Sequence, residues 1–241
     1  MNLLILDAGH SFSTAGKRNE KENFYEWQFN NDMQYKIKAR CEDLGIKVFL
    51  TNPNPQSVSD LPLTTRANLA NDYWIKNNKP KSIFISLHAN AFSNASARGT
   101  ETYIASNAST TSKNFAKVLN DNIVSVMKKL DPASEDRGVK SENFTVIYKA
   151  SMPSVLCEYG FYSNLDDLKI LKNNKDELVE ATVKAICSYF NIEYKEKVNE
   201  VKFDGNLYAV CVGAYKDRNK ANAIVEELKK QGYTSTYLIL R

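Results

Sequence analysis

His10 and His88 are the only two imidazoles in 241 residues. Each closes an apolar run: Leu3–Leu6 leads into Asp7-Ala8-Gly9-His10, and Ser82–Leu87 leads into His88-Ala89-Asn90. Imidazole is the commonest metal-ligating side chain, and two imidazoles with one carboxylate form a known catalytic zinc set. A satisfied core histidine would account for either residue alone, but it accounts poorly for both standing at apolar strand ends. Glu26, at the start of a helical pattern, is a candidate third ligand, and Glu20 and Glu22 compete with it. A carboxylate in a first helical turn can also simply complement the helix dipole. A third apolar run, Val155-Leu156-Cys157, ends in Glu158, an acid that is costly to bury unpaired.

Elements that could bring these groups together follow from the hydrophobic pattern. Short continuous apolar runs read as strands buried on both faces of a sheet. Helices are expected from Tyr25 to Gly45, with Phe29, Met33, Ile37, Cys41 and Leu44 facing the sheet, and from Leu63 to Asn77, with Leu69 and Tyr73 on one face. Two more run from Ser112 to Leu130, with an apolar stripe from Phe115 to Leu130, and from Asp176 to Phe190. Further strands are expected at Ile46–Leu50, Gly99–Ile104 and Phe144–Tyr148. Ser11–Asn23 reads as a flexible loop and Thr51–Pro62 as a loop at the rim of a site. This alternation predicts an α/β fold: an open, mostly parallel twisted sheet with helices on both faces. Ligands bind such sheets at the carboxyl ends of the strands, and parallel strands would bring His10, His88 and Glu158 to one edge.

Composition narrows the function classes. A hydrophobic content of 43% with 25% charged residues is that of an ordinary folded domain. A net charge of +4 does not indicate a nucleic-acid partner. Cys41, Cys157, Cys187 and Cys211 are scattered without metal-knuckle spacing, and free thiols suit a reducing cytosol. No apolar run reaches transmembrane length, so membrane insertion is not expected. The first strand lacks the flanks of a signal peptide, so synthesis in the cytoplasm and action after release are expected. The main domain is expected at 1–193 and a polar, charged linker at 194–206. A βαβ unit at 207–241 follows: strand Leu207–Val212, helix Asn219–Gln231, strand Thr234–Leu240. That unit is too small to be stable alone.

Seven short blocks, in order, carry a resemblance. They are Asp7-Ala8-Gly9-His10, Glu26-Trp27-Gln28-Phe29-Asn30, the element from Arg66 to Asn71, Ser86 to Asn90, Gly99 to Tyr103, Arg137-Gly138-Val139-Lys140, and Glu158 to Asn164. Each alone is weak, but together they make residues 1 to about 190 resemble the zinc-dependent N-acetylmuramoyl-L-alanine amidases. The register of the second block selects Glu26 over Glu20 and Glu22. The resemblance implies Zn²⁺ held by His10, Glu26 and His88, with Glu158 as general base. Asn90 would support the site; Arg66, Glu101 and Lys140 are weaker candidates for support or substrate contact, each readily explained as a structural ion pair. Ser11 stands where the family usually has another glycine, and Asn52-Pro53 where it usually has arginine, which puts rim contacts in doubt.

Residues 207–241 resemble half of a sporulation-related peptidoglycan-binding repeat, through Tyr208–Tyr215 and Gly232-Tyr233. Two chains are therefore expected to pair through 207–241, since bare strand edges favour pairing. The implied activity is hydrolysis of the amide between N-acetylmuramic acid and L-alanine in peptidoglycan. A phage endolysin is the expected setting, with a mother-cell lytic amidase of sporulation as the alternative. The rival readings are another zinc peptidase or deacetylase of the wall and a non-catalytic wall-binding protein. The complete set of candidate ligands and base argues against the last.

Overall fold

The computed structural model describes residues 2–56, 60–196 and 217–233. The chain divides into two compact units, at Lys195 and Glu196.

The first unit is an α/β sandwich around a six-stranded sheet. Strand β1 (Asn2–Ala8) is followed by a small hairpin of β2 (Arg18–Asn19) and β3 (Phe24–Tyr25), then α1 (Glu26–Asp43), β4 (Lys47–Leu50), α2 (Leu63–Lys76) and β5 (Lys81–Asn90). Next come β6 (Thr100–Ile104), α3 (Thr110–Leu130), β7 (Asp136–Ser141), the single turn α4 (Thr145–Tyr148), β8 (Ser154–Phe161), α5 (Leu165–Asn173) and α6 (Lys175–Phe190). The sheet order is β4-β1-β5-β8-β6-β7. The run β4-β1-β5-β8 is parallel, β6 is antiparallel to β8, and β7 is parallel to β6.

The apolar runs are continuous because each strand is covered on both faces. Leu4, Leu6, Ile83, Ile85, Val155 and Cys157 pack with residues of α1, α3 and α6. The alternate residues Leu3, Ile5, Phe84 and Leu156 pack with Ala70 of α2 and with Val146 and Ile147 of α4. The period of two along each strand sorts its side chains into these two layers. α1 ends where Gly45 turns the chain at φ +76°, a left-handed conformation suited to glycine.

Three local expectations are corrected. Phe144–Tyr148 is no strand: α4 occupies Thr145–Tyr148, and the amides of Ile147 and Tyr148 donate to the Phe144 carbonyl. The edge position belongs to Asp136–Ser141, whose largely polar, half-exposed residues give little hydrophobic signal. On α2, Leu69 is exposed, and Arg66, Ala67 and Ala70 are buried instead. The loop after His10 holds the β2–β3 hairpin, which Asn19 ties to the end of β8 by donating from Nδ2 to the Tyr162 carbonyl, 3.0 Å away. A further helix, α5, starts at an Asn164 cap whose side chain accepts from the amides of Asp166 and Asp167.

Cys41, Cys157 and Cys187 are buried free thiols. No helix among the described residues is long and apolar enough to cross a membrane. In the second unit the expected helix is present as α7 (Arg218–Lys230), capped by Asp217. The strands expected at Leu207–Val212 and Thr234–Leu240, and Cys211, lie outside the described residues.

Candidate metal centre

The strand ends deliver the ligands. β1 and β5 pair in parallel with Asp7 opposite Ser86 and Ala8 opposite Leu87, so the chain leaving β1 through Gly9 to His10 runs beside His88, which is still within β5. Glu26 is the first residue of α1, and its amide donates to the Lys17 carbonyl. Glu26 Oε1 lies 3.1 Å from His10 Nε2 and 3.0 Å from His88 Nδ1. The two rings stand edge to face, 4.9 Å apart.

Three ligand atoms of these residues fall within 4.8 Å of one another. A tetrahedral ion with bonds of about 2.0–2.1 Å would need donor atoms roughly 3.3 Å apart, close to the two His–Glu separations of 3.1 and 3.0 Å. Two imidazole nitrogens and a carboxylate oxygen form a donor set suited to a transition metal such as zinc. The residues present therefore fit a metal ion. Glu20 and Glu22 pair elsewhere, Glu20 with Arg18 of the hairpin and Glu22 with Lys172 of α5.

Charge states agree with that use. Burial alone would raise the Glu26 carboxyl, but the two imidazoles outweigh it and hold it at about 2. Burial lowers His88, with Glu26 opposing, which favours the neutral ring that ligates a metal.

The loop that carries His10 is tightly held. Gly9 lies against the His88 ring: a Cβ there would meet His88 ring atoms at 2.1–2.5 Å. Only glycine lets the backbone come this close. His10 has a φ of +65°, uncommon for a residue with a side chain. Its carbonyl accepts from Asn52 Nδ2 at 3.0 Å and from Arg66 Nη2 at 3.3 Å. Asn52 also donates to the Ala8 carbonyl, and Asn30, one turn after Glu26, donates to the Gly9 carbonyl.

Beneath the loop is a buried polar knot. Asp7 accepts from Thr51 at 2.6 Å, from Ser86 at 2.8 Å and from Arg66 Nη1 at 3.2 Å. Arg66 spends its remaining donors on the carbonyls of Ala8 and Leu61 and on Asp60. It is 1% exposed, so it braces the ligand loop from below. Asn52, a departure from the family pattern, is buried and clamps that loop.

Glu158 is brought beside the ligands by β8, where it is the Cα partner of His88 on one side and of Glu101 on the other. Its Oε2 is buried and has no hydrogen-bond partner among the described residues. Burial pushes its carboxyl well up, and the charges of Glu26 and Glu101 push it further. Glu101 is fully engaged: Asn90 and Tyr103 donate to Oε1, and Arg137 and Lys140 to Oε2. Burial opposes its ionisation, but Lys140, Arg137 and Tyr103 together hold it below the ordinary carboxylate range.

His10, Glu26, His88 and Glu158 thus converge on one strand edge. Asn90, Glu101 and Lys140 form a cluster alongside Glu158, and Arg66 lies under the loop. Sequence reasoning assigned no role to Asp7, Asn30, Thr51, Asn52, Ser86, Tyr103 or Arg137. One signal was available: Asp7 and Ser86 are polar residues within apolar strands, just ahead of the two histidines.

A half-buried carboxylate beside a group able to hold a metal, at the strand ends of an α/β sheet, is the arrangement of a metal-assisted hydrolase. The chain belongs to the N-acetylmuramoyl-L-alanine amidase family, whose model matches residues 4–188. A SPOR domain model matches residues 189–239. The sporulation-specific N-acetylmuramoyl-L-alanine amidase of Bacillus subtilis is 24% identical over 238 residues, covering 98% of this chain and 84% of that protein. The endolysin of Bacillus phage SPP1 is 27% identical over 197 residues, covering 80% and 68%. Among solved structures, the catalytic domain of the amidase CwlV from Bacillus (Paenibacillus) polymyxa superposes with a TM-score of 0.67. Its identity is 27%, and the match covers 80% of this chain and 100% of that one.

Proposed function

We propose that the chain hydrolyses the amide between the lactyl group of N-acetylmuramic acid and L-alanine in peptidoglycan, with Zn²⁺ held by His10, Glu26 and His88. The observation that carries this reading is the placement of Glu158, half-buried and with its buried Oε2 unpaired among the described residues, next to the His-Glu-His group. Bound zinc would supply a Lewis acid that acidifies water and polarises the carbonyl. Glu158 takes a proton from the attacking water and returns it to the departing alanine nitrogen. Arg66, Asn52 and Asn30 hold the His10 loop so that the ligands need no rearrangement. Asn90, Arg137 and Lys140 fix Glu101 and so the wall beside Glu158. The products are a muramic acid carboxylate on the glycan and a stem peptide with a free L-alanine terminus.

Purified peptidoglycan tests this. Zinc-dependent loss of turbidity with new L-alanine amino termini and no new reducing sugars is the expected result. Other new amino termini would make the protein a peptidase, and binding without release would make it a deacetylase or a wall-binding protein.

The endolysin setting has support from the phage relative. The sporulation setting has its own support, because that relative aligns over 98% of the chain, the C-terminal unit included. Lysis from within after permeabilisation of the host membrane supports the first; a preference for walls of sporulating cells supports the second. The C-terminal unit would bind glycan and pair two chains through 207–241. A strictly monomeric mass in light scattering would refute the pairing.

A further inference from the structure

Two large aromatic side chains stand open beside the metal ligands. Phe12, two residues after His10, is 69% exposed, and Phe92, four residues after His88, is 60% exposed. Their backbones are fixed. The Phe12 amide donates to the Pro55 carbonyl at 3.1 Å, and the Phe92 amide donates to Ser163 Oγ at 3.0 Å. Asn164 Nδ2 also donates to the Ala95 carbonyl, tying the second loop to the end of β8. Phe12 meets the buried Trp27 ring near-perpendicularly at 6.0 Å. An exposed ring on a hydrogen-bonded backbone beside a site is suited to a binding contact, because little order remains to be lost on binding.

The loops also say what kind of ligand. Ser11–Gly16 and Ala89–Ala97 hold no charged residue, in a chain that is 25% charged. Exposed on them are two phenyl rings and the uncharged side chains of Ser13, Ser93, Asn94 and Ser96, whereas Thr14 is spent on Asp60 and Asn90 on Glu101. Such surfaces match a neutral, hydroxyl-rich ring whose axial C–H face is apolar. They do not match the carboxylates of a stem peptide. The Phe12 loop follows β1 and is tied to the chain just beyond β4, and the Phe92 loop follows β5 and is tied to the chain just beyond β8, so the two loops are anchored toward opposite sides of the β1–β5 pair along the sheet.

We propose that Phe12 and Phe92 are stacking platforms for sugar rings of the glycan strand on either side of the muramic acid being processed. This rests on the amidase reading above. The enzyme would then prefer a strand of several sugars over a single muramoyl peptide.

The test uses the full chain with Phe12→Ala, Phe92→Ala and both together, with metal content and far-UV spectra checked. Release of L-alanine termini is measured on soluble, un-cross-linked glycan strands and on a single-sugar muramoyl peptide. Each variant is expected to raise KM on the strands by about tenfold with kcat within about twofold, the mark of lost ground-state binding. The single-sugar substrate should change by less than about twofold, and Phe92→Trp should keep strand binding. Titration with peptide-free glycan oligosaccharides should show that the wild type binds more glycan than the double variant, which keeps only what the C-terminal unit holds. Equal losses on both substrates, or none on either, overturn the proposal. A wild type that releases no L-alanine from either substrate overturns the amidase reading itself; an active wild type matched by its variants overturns the platforms alone.

Discussion

Glu158 and the three ligand residues separate catalysis from metal binding. Glu158→Gln keeps the shape of the site and removes the group that carries the proton. It should retain zinc and lose about 10²–10⁴-fold in kcat, read as released amino termini alongside metal analysis. His88→Ala should lose the metal as well. Gly9→Ala is a sharper test, because it alters no ligand atom. A Cβ at this position overlaps the His88 ring, so zinc affinity should fall by about 10–100-fold, in the range seen when a ligand's support is disturbed. Competition with a chromophoric chelator measures it, and an unchanged affinity would mean that the His88 ring is free to move aside.

At the level of elements, the site depends on groups that never meet substrate. Arg66 on α2 spans Asp7 at the end of β1, the carbonyls of the ligand loop and Asp60. Arg66→Ala would leave Asp7 as a buried charge without its cation, and breaking a buried pair in this way costs about 3–5 kcal/mol. Denaturant unfolding should show that loss, and lysine should restore little because it lacks the planar fork. Glu101 makes a pH prediction. Its folded carboxyl lies below its unfolded value of 4.5, so its contribution is present above that pH and lost as pH falls through the folded value. The wild type should therefore lose stability below about pH 4.5 more steeply than Glu101→Gln, followed by thermal melting across that range.

The two units carry separable tasks. The match to an isolated catalytic domain covers 100% of that chain, so residues 1–195 should fold and act by themselves. Truncation after Lys195 should leave turnover on soluble muramoyl peptides near that of the full chain and lower the rate on intact walls. Equal rates on both substrates would remove wall targeting from the C-terminal unit's role. A chelator should stop either form, with zinc restoring it.

Residue type and local pattern were enough for the fold class and for the principal candidates. Apolar runs long enough only for strands, alternating with amphipathic stretches, require a sheet covered on both faces. The rare histidines fall at two strand ends because the chain leaves the hydrophobic layer there. Short family blocks then distinguished Glu26 from Glu20 and Glu22. Contacts between distant segments could not be read in this way. Asp136–Ser141 becomes an edge strand through pairing with β6, although its own polar sequence gives little sign of it. Phe144–Tyr148 has the β-branched look of a strand but turns into helix, whose Val146 and Ile147 cover one face of the sheet instead. Arg66 and Asn52 resemble surface residues in the sequence, yet both lie buried under His10. Most of their partners are backbone carbonyls, which carry no side-chain signature, so only the tertiary structure could decide their role.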